Sequence, residues 1–125
     1  GQDGHWMRQA TDEQESEAVG EGIMIYRLPD TWQSDECEMY AIYKALRQTW
    51  AEETSKGQGS EEELKQVRVL IVCDCEEAAC AVEEAYRMGS AGGLRTGNGA
   101  ALLEAITTLR NMFGRVVILW QPGHG

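Results

Sequence analysis

The chain has 125 residues, enough for one hydrophobic core but not two, so a single domain spanning 1–125 is expected. Its formal net charge of −10 argues against a broadly basic nucleic-acid-binding surface. No apolar run approaches the ~18 residues that cross a bilayer and no basic-then-apolar leader is visible, so the expected setting is intracellular, cytoplasmic or nuclear, with no membrane partner. Of the four cysteines, Cys73, Cys75 and Cys80 crowd into one short stretch and Cys37 stands apart. That layout suits reduced thiols better than a disulfide framework. The charge is also uneven: residues 1–66 carry 15 acids and 6 bases, net −9, whereas residues 67–125 carry 6 acids and 5 bases, net −1. The second half therefore leaves room for a mildly positive groove near Arg87, Arg95, Arg110 and Arg115.

In chain order, the acidic segment 12–21 reads as a solvated loop between the first two strands. Residues 23–26, Ile-Met-Ile-Tyr, form a short strand stopped at Pro29-Asp30, and the stretch around Trp32 is a candidate for another. Ser34 is placed to cap a helix reaching about Trp50. Asp35, Glu36 and Glu38 stand in its first turn, where negative charge suits the helix dipole, and Met39, Ile42, Tyr43, Leu46 and Trp50 recur at helical spacing. A glycine-containing loop at 56–60 leads to a short acidic helix. Residues 67–73, Val-Arg-Val-Leu-Ile-Val-Cys, are the strongest strand, by length and β-branched content.

After Asp74 a helix is expected through Ala78, Ala81, Val82 and Ala85 to about Met88, ending in the glycine-rich 89–93. Asn98 caps a further helix carrying Leu102, Leu103, Ile106, Leu109 and Met112. Gly114 ends it before the strand 116–120 and a turn at 121–124. Trp50 and Trp120 are read as core residues. Strands separated by helices imply a largely parallel sheet in this half, joined to a shorter strand pair in the first half, so the expected class is α/β with a mixed sheet.

Asp74 carries the most chemical information, because a carboxylate at the carboxy-terminal tip of a buried strand is where α/β proteins place their sites. The bland reading is that it caps the following helix. Glu38 alone would be an ordinary first-turn acid, and Asp3, in Asp3-Gly4-His5, an ordinary turn residue. Taken together, the three carboxylates are candidates to share one metal site. A zinc module built from Cys73, Cys75 and Cys80, with or without His124, is the competing chemistry, and it is disfavoured because Cys73 and Cys75, flanking a strand-end Asp, are separated by a single residue where structural zinc knuckles have two to four.

Several of these segments, in order, resemble the ribonuclease H domain attached to reverse transcriptases of non-LTR retrotransposons. Asp3-Gly4-His5 is similar to that family's Asp-Gly-Ser, Gly20-Glu21-Gly22-Ile23 to its glycine-rich second strand, and Glu38-Met39-Tyr40-Ala41-Ile42 to its Glu-Leu-x-Ala-Ile helix. Asp74-Cys75 stands where the family has Asp-Ser. Leu102-Leu103-Glu104-Ala105-Ile106 with Arg110 resembles a later helix, and Trp120-Gln121-Pro122-Gly123-His124-Gly125 resembles the Trp-x-Pro-x-His-x-Gly turn.

The resemblance implies an α/β, RNase H-like fold, a five-stranded mixed sheet in the order 3-2-1-4-5 flanked by helices. It also implies hydrolysis of the RNA strand of RNA–DNA hybrids. Asp3, Glu38 and Asp74 would hold two Mg²⁺ ions, with Mn²⁺ able to substitute, and His124 would assist proton movement or product release. The family's last helix, with its fourth carboxylate, would lie beyond Gly125, so the chain is expected to be a piece of a polyprotein that includes a reverse transcriptase. The alternative is an inactive RNase H-like scaffold or partner-binding domain.

Overall fold

The structure, a computed structural model, describes residues 17–18, 24–25, 28, 31–89 and 97–122. The chain divides into two compact units, 1–33 and 34–125. In the first, β1 (Glu17–Ala18) pairs antiparallel with β2 (Met24–Ile25), Glu17 opposite Ile25 and Ala18 opposite Met24. β1 thus occupies part of the segment expected to be a loop. Thr31 and Trp32 lie in a turn and bend, not in the strand expected there.

The second unit opens with α1 (Ser34–Ser55). This helix runs beyond the expected end at Trp50 because no breaker intervenes before Gly57, and its extra turn is knitted from within. Thr54 Oγ1 donates to the Trp50 carbonyl at 2.8 Å, and Gln48 Nε2 to Glu52 Oε1 at 3.3 Å. Gly57, at φ +79°, then turns the chain, and the Gln58 amide donates back to the Glu53 carbonyl. The short helix α2 (Glu61–Leu64) follows. Ser60 and Glu63 form a reciprocal capping box, each side chain accepting from the other's backbone N–H at 3.2 Å. β3 (Arg68–Cys73), α3 (Glu76–Met88), α4 (Gly97–Arg110) and β4 (Arg115–Trp120) complete the unit, close to the expected boundaries.

β3 and β4 are parallel, with Arg68 opposite Arg115 and Cys73 opposite Trp120. α1 packs on α4 and α3, and α3 also lies against both strands. The core between them is made by Met39, Ile42 and Leu46 of α1, Ala78, Val82 and Ala85 of α3, and Leu102 and Ile106 of α4. Alanine at two of these positions, Ala78 and Ala85, lets α3 approach its neighbours closely.

The five-stranded mixed sheet is not what forms. Among the described residues there are two sheets of two strands each, β1–β2 and β3–β4, and most of the second unit is helical. Alternation of strand and helix does yield a parallel pair, as reasoned from the sequence. The short first-half strands are not part of that pair: among the described residues β1 and β2, two residues each, pair with one another in a sheet of their own.

The β3–β4 sheet has one covered face and one open face. β3 alternates between exposed and covered positions, leaving Leu70 62% and Val72 56% exposed, with Leu119 of β4 on the same face. Trp120 is 45% exposed at the last residue of β4, so the expectation that it belongs to the core is corrected. Trp50 is half-buried, with the Arg47 guanidinium 5.8 Å from its ring.

At the opposite end of the pair, Gly114 passes so close to the Lys65 carbonyl that a Cβ there would collide with it. Its amide donates to the Val67 carbonyl at 3.0 Å and opens the ladder. Arg110 lies alongside, only 7% exposed. Its Nη2 donates to the Val116 carbonyl at 2.8 Å and pairs with Glu83 at 3.1 Å, and its guanidinium sits 3.9 Å from the Tyr86 ring centroid. Arg110 is therefore a structural tie between α4, α3 and β4, not a residue of an open basic groove. Arg87 and Arg115 are exposed, and Arg95 lies outside the described residues.

Candidate functional site

Parallel strands deliver their carboxy-terminal ends to one edge, and Asp74 lies at that edge. β3 ends at Cys73, so Asp74 leaves the strand exposed to solvent. The residue that caps α3 is Cys75, and its side chain makes no capping hydrogen bond. The bland account of Asp74 as the cap is thereby removed. Glu38 reaches the same place from the start of α1, half-buried beside the fully buried Met39. Contact of α1 with β3 brings the two acids together.

They line an open groove of about 440 Å³ with Val72, Gln121 and Pro122. The Glu38 carboxyl is pushed above its ordinary range, first by partial burial, then by the negative charge of Asp74, and third by a hydrogen bond in which protonated Glu38 donates to Asp74. Two neighbouring carboxylates are a hard-oxygen pair whose repulsion a divalent cation would relieve. The donor chemistry fits Mg²⁺, which is often held by one or two protein carboxylates, completing its shell with water and substrate phosphate.

Asp3 and His124 lie outside the described residues, so of the expected set the structure brings together Glu38 and Asp74. Among the described residues no three His, Cys, Asp or Glu side chains are grouped to hold a metal ion. The thiols do not offer themselves as a soft site either. Burial raises the Cys73 thiol, which donates to the Cys75 carbonyl at 3.4 Å, and burial together with Glu36, Glu38 and Asp35 raises Cys37. Cys80 is exposed on α3.

Gln121 is the groove residue that reading the sequence did not single out. It stood there only as the variable position of a turn. No local sequence signal marks it: its place follows from the observed register, in which Cys73 pairs with Trp120 and the next residue along each strand sets Gln121 across from Asp74.

No protein-family model matches this chain, and no curated protein or solved structure matches it significantly. Among the described residues no helix is long and apolar enough to cross a membrane.

Proposed function

We propose that this chain is a ribonuclease H-type domain of a retroelement polyprotein, a metal-dependent endonuclease acting on the RNA strand of RNA–DNA hybrids in the cytoplasm or nucleus. The observation that carries this reading is the meeting of Glu38 and Asp74, from two different elements, in one groove at the end of a parallel strand pair. The order of the sequence motifs around them adds the reaction class and the neighbouring reverse transcriptase.

Glu38 and Asp74 would hold the metal, with Asp3 completing the set. Bound there, Mg²⁺ or Mn²⁺ supplies an activated water and charge stabilisation for an in-line phosphodiester displacement. The chain's own part is electrostatic. Asp74, exposed and rooted in the strand end, lines the groove, and Glu38, its carboxyl raised by partial burial and by the neighbouring Asp74, adds a second acidic group. His124 would move a proton or ease product departure.

The test is cleavage of a labelled RNA–DNA hybrid in Mg²⁺ or Mn²⁺ by this chain and by its parent polyprotein, with Asp74→Asn in each. Cleavage should fall by more than about a hundredfold in the variant, beyond what loss of an outer-shell partner causes. A folded parent that binds Mn²⁺ at Asp74 but leaves the hybrid intact would make the inactive scaffold the correct reading.

A further inference from the structure

The open face of the β3–β4 sheet is ordered from end to end. Side chains alternate along a strand, so Arg68, Leu70 and Val72 of β3 share that face, and Asp74 continues it one residue past the strand, lining the groove beside Val72. On β4 the register sets Arg115, Val117 and Leu119 beside them, with Gln121 next to Asp74. The strip is thus basic at its amino-terminal end, apolar in its middle and acidic at its carboxy-terminal end. Arg68 and Arg115 stand side by side and exposed, and among the described residues no acid pairs with either.

Such a strip is complementary to itself when turned end for end. Consider a two-fold axis in the plane between two facing sheets, perpendicular to the strands and passing over the Ile71–Ile118 rung. It lays each strand, reversed, over its own copy. Position 68 then meets position 74 and position 70 meets position 72, so Arg68 faces Asp74 of the second copy and Leu70 faces Val72. On β4 the same axis sets Val117 against Leu119, and the Arg115 guanidinium against the Gln121 carboxamide, whose oxygen accepts. Every contact occurs twice, as a closed two-fold interface requires. Facing sheets pack about 10 Å apart with strand directions within about 30° of each other, which keeps strips of this length in contact from end to end.

We infer that this face is a self-association surface, covered by a second copy of the chain in antiparallel orientation. Leu70 and Val72, each more than half exposed, supply the apolar contact, and the charged ends fix its direction. A uniformly apolar strip would accept any apolar segment, whereas opposite charges at mirror positions match this chain itself. The inference does not depend on the hybrid-cleaving reading. The contact covers the groove that Asp74 and Gln121 line.

The experiment is sedimentation velocity of the 125-residue chain at concentrations up to about 1 mM, the range a small interface requires. The salt is about 0.15 M, which cuts the reach of the −10 charge on each copy to about 8 Å. The wild type is expected to reach a dimer and go no further. Arg68→Glu sets acid against acid at both ends and should weaken the dimer about tenfold. Arg87→Glu, exposed on α3, changes the net charge equally and should weaken it by less than about threefold. Arg68→Glu combined with Asp74→Arg restores opposite charges and should return the dimer to within about threefold of the wild type. Both positions are exposed, so the core is left intact, and a far-UV spectrum checks the fold of each variant. Equal weakening by Arg68→Glu and Arg87→Glu would reveal general repulsion and overturn the orientation. A folded double variant that fails to recover the dimer would overturn it too. A wild type that stays monomeric, or that grows beyond two copies, would overturn the closed interface and leave the face to another chain.

Discussion

At their amino-terminal ends β3 and β4 are locked by close packing, whereas at their carboxy-terminal ends they open onto an acidic groove. The locked end has Gly114 pressed on the Lys65 carbonyl and the Arg110 guanidinium enclosed by Tyr86, Glu83 and the Val116 carbonyl. The open end has Asp74 and Gln121 exposed to solvent and Glu38 half-buried. Two like charges repel, so a groove that holds them together must draw its rigidity from elsewhere. Here the elsewhere is six rungs away, where register and strand spacing are set. The acidic groove and the packing that steadies it are thus separated along one short strand pair.

That separation can be broken most severely at Gly114. Gly114→Ala forces β4 away from the 65–67 segment and should cost about 2–3 kcal/mol, the scale of overpacking against backbone, read as a lower urea midpoint with an unchanged slope. A cost below about 0.5 kcal/mol would show that the close approach relaxes easily. Arg110→Ala should cost about 2 kcal/mol, since it removes a buried bond to a carbonyl and the packing over Tyr86. The loss is tempered because Nε and Nη1 of Arg110 already lack partners and Glu83 stays partly in solvent.

The open end should respond in the opposite sense, and by less. The raised Glu38 carboxyl means that the folded state holds its proton more tightly than the unfolded chain does. The associated stability is complete below the ordinary carboxyl value and is lost as pH rises through the raised one. Glu38→Gln should therefore match the wild type near pH 4 and exceed it by ~0.5 kcal/mol at neutral pH in chelator, seen in paired thermal melts. Equal melts at both pH values would mean that Asp74 does not burden Glu38.

The sequence made the second unit legible where local signals agreed with one another. The β-branched run at 68–73, the alanine-rich helix after Asp74 and the short acidic helix after Ser60 each lie where pattern and propensity point. Helix α1 was placed correctly but cut short, because Trp50 is the last large apolar residue of its stripe while Ala51, Glu52 and Glu53 continue the helix by propensity and by side-chain hydrogen bonds within it. The sheet was overbuilt, because strand count in a sequence does not say which strands share a ladder. The pairing of Glu38 with Asp74 was expected from the motif order. The place of Gln121 was not, since cross-strand register is a tertiary fact carried by no single segment.

The bare row of Leu70, Val72 and Leu119 also has a colloidal meaning. A strip of this kind is adhesive, and what keeps two molecules from sharing it is the net charge of −10. Near the isoelectric point, about 4.6, that barrier vanishes and the strips of neighbouring molecules can meet. Added salt lowers the same barrier at any pH by shortening its range to about 10 Å at 0.1 M. Neutral pH and low ionic strength are therefore the conditions in which this fold keeps its open face wet.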